Sequence, residues 1–105
     1  MCYASFVLYY EVVKAFVKKL QKSTQPKVLR AIELLEQYGQ NLSMPHAKKV
    51  TNLLYELRIR GTQEVRIFYV IQEDTAILLH VFLKKTQKIP RREIETAKKR
   101  IQLLT

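Results

Sequence analysis

One cysteine, two glycines, three prolines and no tryptophan occur in the 105 residues of this chain, and each scarcity removes a class of protein. A lone thiol, Cys2, excludes an internal disulfide framework and most zinc sites, and beside the first methionine it reads as incidental. So little glycine and proline argues against a disordered or linker-rich chain, and no low-complexity segment or internal repeat is visible. Gly39 and Gly61 lie too far apart for a phosphate-cradling loop. The two histidines, His46 and His80, share no ligand spacing with each other or with Cys2, so no metal and no cofactor are expected. No apolar run approaches the ~20 residues of a membrane span. Tyr9, Tyr10 and Glu11 break the only early apolar run, so no secretion leader is expected and the cytoplasm is the expected compartment. Acid is scarce as well. Nine Asp and Glu oppose nineteen Lys and Arg, a formal charge of +10. Such an excess attracts polyanions, nucleic acid ahead of membrane surfaces, unless it serves solubility alone.

What is present suffices for a single domain spanning residues 1–105, since 48% of the residues are hydrophobic and one modest core can form. Cys2 to Tyr9, aromatic and β-branched, reads as a first strand. Val12, Val13, Phe16, Val17 and Leu20 recur at helical spacing and predict a helix from about Glu11 to Lys22. Ser23 and Thr24 offer capping oxygens, Pro26 suits a first helical turn, and Gly39 ends a second helix. These two helices should pack as a hairpin. Residues 40–52 are polar, contain Pro45 and read as an irregular connection, in which His46, Lys48 and Lys49 could touch a ligand.

Three strands follow within Leu54 to Lys88. In the first two, Tyr55, Leu57, Ile59, Val65, Ile67 and Tyr69 are odd and apolar, whereas Glu56, Arg58, Glu64, Arg66 and Phe68 are even. A one-residue slip would send the two apolar sets to opposite faces. The turn near Thr62 must therefore place Arg58 opposite Arg66 and Glu56 opposite Phe68. Facing arginines repel by up to ~1 kcal/mol, and an anion bound between them would account for the arrangement. The third strand, Ala76 to Lys85, is apolar at both parities and should be central and covered on both sides. With a two-residue turn at Glu73–Asp74 its odd positions join Arg66, bringing Lys85 to the charged face. A three-residue turn would bring His80 and Lys84 instead. From Pro90 onward, Ile94, Ala97, Ile101 and Leu104 mark a closing basic helix.

Those residues allow one kind of chemistry. Arg58 and Arg66 can clamp a phosphodiester, Lys85 can stabilise charge building in a transition state, and Glu56 can take a proton from a ribose 2′-hydroxyl. Phe68 offers a face for a base. The plainer alternative makes Glu56 and Arg58 a structural ion pair. Glu64, Glu73 and Asp74 read as surface charges, and His80 as a packed core residue.

The segments LYELR, VRIFYV and LLHVFLKKTQKIPRREIETAKKRI resemble the RelE/ParE superfamily of toxins, closest to its phage-derived, Gp49-like and HigB-type branch. The resemblance covers nearly the whole chain. It implies an α+β, RelE-like fold of order β-α-α-β-β-β-α, a curved antiparallel sheet packed against an N-terminal helical hairpin with a C-terminal helix. It further implies a type II toxin that cleaves translated mRNA at the ribosome. Its partner would be a cognate HigA-like, helix-turn-helix antitoxin, so that DNA is met only through the antitoxin. On that pattern Arg66 matches the phosphate-stabilising arginine, Lys85 lies near the basic residue ending the last core strand, and Glu56 occupies a position held by lysine in some relatives. Lys84, Lys88, Lys48 and Lys49 would add RNA contacts. No tyrosine or histidine follows Lys85, which leaves Lys85 or Lys84 to protonate the leaving oxygen. Ile89 stands where the branch usually caps its last helix with threonine. A ParE-like gyrase poison and a non-catalytic RNA-binding module are the competing readings.

Overall fold

The computed structural model describes residues 6–9 and 11–104, so that Cys2 and the start of the expected first strand lie outside the described residues. The order is β1 (Phe6–Tyr9), α1 (Glu11–Lys18), α2 (Gln25–Tyr38), a 3-10 turn (Gly39–Asn41), β2 (Ala47–Lys49), β3 (Tyr55–Ile59), β4 (Val65–Gln72), β5 (Thr75–Leu83) and α3 (Arg91–Gln102). One sheet holds the strands in the order β1-β5-β4-β3-β2. Its pairs are antiparallel except β1 with β5. The expected α+β architecture is present, with one strand more than the sequence suggested. β2 lies inside the segment read as irregular, with Ala47 opposite Leu57 and Lys48 opposite Glu56. Three residues are too few for alternation to register as a pattern.

The helices start and stop for local reasons. α1 ends at Lys18, not Lys22, because Lys19 and Leu20 donate to the Phe16 and Val17 carbonyls in a tightened last turn. Gln25 Nε2 then donates to the carbonyls of Lys18 and Leu20 at 3.1 and 2.9 Å, satisfying groups a further turn would have used. Thr24 precedes α2 but makes no side-chain cap bond, contrary to expectation, while Pro26 sits in the first turn. Gly39 closes α2 with φ of 53°, its N–H donating to Leu35 O. α3 begins with no side-chain cap, and its capping position is held by Pro90, not by Ile89 as expected.

Helices cover both faces of the sheet. Val13, Val28, Ile32 and Leu35 pack against Leu57, Ile67 and Tyr69, the odd set of β3 and β4 that the alternation demands, and against Leu78 of β5. On the other face Ala97 of α3 joins Leu54, Phe68, Val70, Ile77, Leu79 and Phe82. β5 is accordingly central and covered on both sides.

Register decides which charges share a face. β3 and β4 pair as expected, Arg58 opposite Arg66 and Glu56 opposite Phe68. At β4–β5 the two-residue turn is also as expected, with Gln72 opposite Thr75 and Glu73 at φ 55°. Further along, however, Tyr69 faces Leu78 while Phe68 faces His80, so Leu79 is an extra residue. Such a bulge turns the strand over by one position. Beyond it the even residues of β5 share the Arg66 face, and the expectation that Lys85 alone would arrive there is corrected: parity now favours His80, Phe82 and Lys84. Arg100 of α3 donates to the Leu79 carbonyl at 2.6 Å, tying the irregular residue to the helix.

Candidate active site

Each arginine of the cross-strand pair has a carboxylate two residues before it. Arg58 Nε lies 3.6 Å from Glu56 Oε1, and Arg66 Nη2 lies 3.2 Å from Glu64 Oε1. These local pairs offset the repulsion between the arginines, so the register does not require the bound anion that the sequence suggested. What the pairs leave unmet is more informative. Glu56 Oε2, Arg58 Nε and Arg66 Nε are buried without a hydrogen-bond partner. Native proteins keep few such groups, and a catalytic site is one place where they persist.

Arg66 is the most fixed of the set. Only 2% exposed, it donates through Nη1 to Val65 O at 3.0 Å and through Nη2 to Glu64 at 3.2 Å. Glu64 in turn accepts the Gly61 N–H at 3.2 Å on its other oxygen. The Glu64 backbone carbonyl takes the Lys84 N–H at 2.8 Å, which holds the end of β5 beside Arg66. In front lies an open cleft of about 380 Å³ lined by Arg58, Arg60, Glu64, Arg66, Lys84, Lys85, Thr86 and Gln87. Five cations there face one carboxylate, which concentrates the attraction for a polyanion on one patch. Planar guanidinium groups and ammonium point charges together match phosphate oxygens.

The structure thus brings together Arg58, Arg66, Lys84 and Lys85. Glu56, 3% exposed, does not line the cleft and lies against Arg58. Phe68 does not offer a stacking face. It is fully buried, its ring 5.2 Å from that of Phe82 and 6.4 Å from that of His80, because α3 covers this part of the sheet. His80 is a packed residue, as the plainer reading held: its Nε2 donates to Glu93 Oε1 at 2.6 Å and its Nδ1 accepts from Arg100 at 3.2 Å. Lys48 is exposed on β2 opposite Glu56, Lys49 is exposed opposite Tyr55, and Lys88 is exposed outside the cleft lining. His46 is exposed, and its carbonyl accepts the Arg58 N–H at 2.8 Å. Among the described residues, no group of three or more His, Cys, Asp or Glu could hold a metal ion, and no helix is long and apolar enough to cross a membrane.

The model of the family of phage-derived, Gp49-like proteins matches residues 15–102. The chain belongs to the Gp49-like family. Its fold is that of the E. coli toxin RelE: the free-state structure of a double arginine-to-alanine RelE mutant matches with a TM-score of 0.68 at 17% identity, over 96% of this chain and 99% of that one. No curated protein matches it significantly in sequence.

In this Gp49-like protein, four cleft residues escaped the sequence reading: Arg60, Glu64, Thr86 and Gln87. Arg60 and Glu64 share the parity of Arg58 and Arg66, a signal that was there to be used. Thr86 and Gln87 carry none, since they lie beyond the last strand. Glu64 is held below its ordinary value of 4.5: partial burial works against its charge, and this is outweighed by the Gly61 N–H, the Arg66 hydrogen bond and the charges of Arg66 and Arg60. A carboxylate whose folded value is depressed contributes stability above its unfolded value and loses it as pH falls through the folded one. Glu64→Gln should therefore be less stable than the parent at neutral pH, with the gap closing below about pH 4.5. Urea unfolding at several pH values measures this, and a gap independent of pH would remove the carboxylate charge from the account.

Proposed function

We propose that this Gp49-like protein is the toxin of a type II toxin–antitoxin pair, a metal-independent endoribonuclease of the HigB type. It acts in the cytoplasm on mRNA under translation at the ribosome, and a HigA-like helix-turn-helix antitoxin neutralises it. The observation that carries this reading is the cleft of five cations with a buried, half-satisfied carboxylate beside it. In this mechanism the scissile phosphate takes Arg66 and Arg58 as its donors, which draws Arg58 from Glu56. Glu56 then accepts the 2′-hydroxyl proton as the 2′-oxygen attacks phosphorus. Lys84, with Lys85 beside it, stabilises the charge on the phosphoryl oxygens and gives a proton to the departing 5′-oxygen. The products are a 2′,3′-cyclic phosphate and a 5′-hydroxyl, and DNA lacks the nucleophile. The Glu56 carboxylate and the cations around it divide base and acid work between two kinds of group.

Induction of the protein followed by primer extension on translated transcripts tests the proposal. Cuts inside coding regions bearing 5′-hydroxyl ends are expected, abolished by a 2′-deoxy substitution at the cut. A DNA-damage response without RNA cleavage would transfer the protein to the gyrase-poisoning class. Neither effect would leave a binding module.

A further inference from the structure

A second groove, of about 340 Å³, lies between α2 and β3 and shares two of its residues, Arg58 and Arg60, with the cationic cleft. Its volume lies within the roughly 300–1,000 Å³ of small-ligand sites. Ala31, Leu34 and Ile59 supply apolar walls, and Lys27, Arg30 and His46 join the two shared arginines around them. No carboxylate lines it. Arg30 has an ion pair with Glu33 at 3.6 Å, but both side chains are 64% exposed, and such contacts exchange readily with solvent or ligand.

Two details give the groove a defined shape. Gly61, at the β3–β4 turn, has no side chain, and the Lys27 ammonium rests where one would be: a Cβ there would lie 2.7 Å from Nζ. Lys27 thereby spans from α2 to the turn beside the cleft. The His46 backbone is held, since its carbonyl accepts the Arg58 N–H at 2.8 Å, and the exposed residue lines the groove together with Arg58. Among the described residues that line the groove and the cleft, His46 is the one aromatic ring, and it is exposed.

We propose that this groove is a nucleotide subsite, which takes one flanking base of the RNA strand whose phosphate occupies the cleft. The base stacks on His46, a mode that tolerates any base because each has a π-face. Lys27, Arg30 and Arg60 carry the adjoining phosphates. The proposal rests on the RNA-cleaving reading and extends it, since one strand passes from cleft to groove over Arg58 and Arg60. The continuity of the two cavities through Arg58 and Arg60 favours one RNA strand running from cleft to groove over a separate acidic protein segment.

The test is a set of uncuttable, fully 2′-O-methylated oligonucleotides from two to five residues long, with binding followed by fluorescence anisotropy. Affinity for the parent protein should step up about tenfold at the length that reaches the groove, the lower part of what stacking one base contributes. His46→Ala and the Lys27→Ala/Arg30→Ala pair should abolish the step while leaving dinucleotide binding and thermal stability unchanged, and His46→Phe should restore it. A step that survives both, or that His46→Phe fails to restore, overturns the assignment. So does a protein with no step that instead binds an oligoglutamate peptide through His46 and Arg30, since the groove would then take protein. Dinucleotide binding reports on the cleft alone: its absence sinks the RNA reading itself, whereas a bound dinucleotide without a step sinks only the groove.

Discussion

Arg66→Met should lower the rate of RNA cleavage by about 10²–10³-fold, the usual cost of removing one preorganised donor from a transition state. The arginine is buried and held by two hydrogen bonds, to Val65 and Glu64, so its guanidinium is aimed before substrate arrives. Methionine keeps much of the packing of the aliphatic stem and removes the fork. The fold should survive. Glu64 is the charge that loses a partner, its side chain is 35% exposed, and it keeps the Gly61 N–H. The change in stability should therefore stay within about 1 kcal/mol. Arg66→Lys should fall between, since a point charge remains but the bidentate geometry does not. Single-turnover cleavage beside a urea melt separates the two effects. A folded methionine variant with full activity would remove Arg66 from the mechanism.

Phe68→Ala is expected to act in the opposite way, on the fold and not on the chemistry. The side chain is fully buried between Phe82 and His80 under α3, and truncating a buried phenylalanine costs about 3–5 kcal/mol. Against a total stability of about 5–15 kcal/mol, that leaves a substantially unfolded population at growth temperature. Phe68→Leu, which refills most of the space, should cost far less. For both, RNA affinity per folded molecule should equal that of the parent, as measured by anisotropy at low temperature with the folded fraction known from circular dichroism. Lost affinity in a fully stable leucine variant would return Phe68 to the RNA surface.

These two residues also mark where the sequence could and could not be read. Arg58 opposite Arg66 was legible because both strands alternate strictly across a short turn, leaving one register that keeps the apolar sets together. β5 was opaque for the converse reason. Buried on both faces, it alternates nowhere, and a bulge at Leu79 leaves no trace in such a run. Both lysines at its end reach the cleft, but parity beyond the bulge puts Lys84, not Lys85, in line with Arg66. Ile94, Ala97 and Ile101 announced that α3 packs on something, without saying on which face. Because it packs over Phe68, a residue that looked available for stacking is core. Parity alone puts Glu64 on the Arg66 face, but a carboxylate at a turn is usually solvated, and the contacts with Gly61 and Arg66 that hold it are visible only in three dimensions.

The parallel pairing of β1 with β5 has a consequence for synthesis. β1 leaves a ribosome well before its neighbour in the sheet, β5, is made, and contacts so distant along the chain form slowly. α3, which clamps Leu79 through Arg100 and seals Phe68, emerges later still. A chain made only as far as β4 thus holds Arg58 and Arg66 without Lys84, Lys85 or the helix that closes their face, and the cleft comes together only once β5 and α3 have followed.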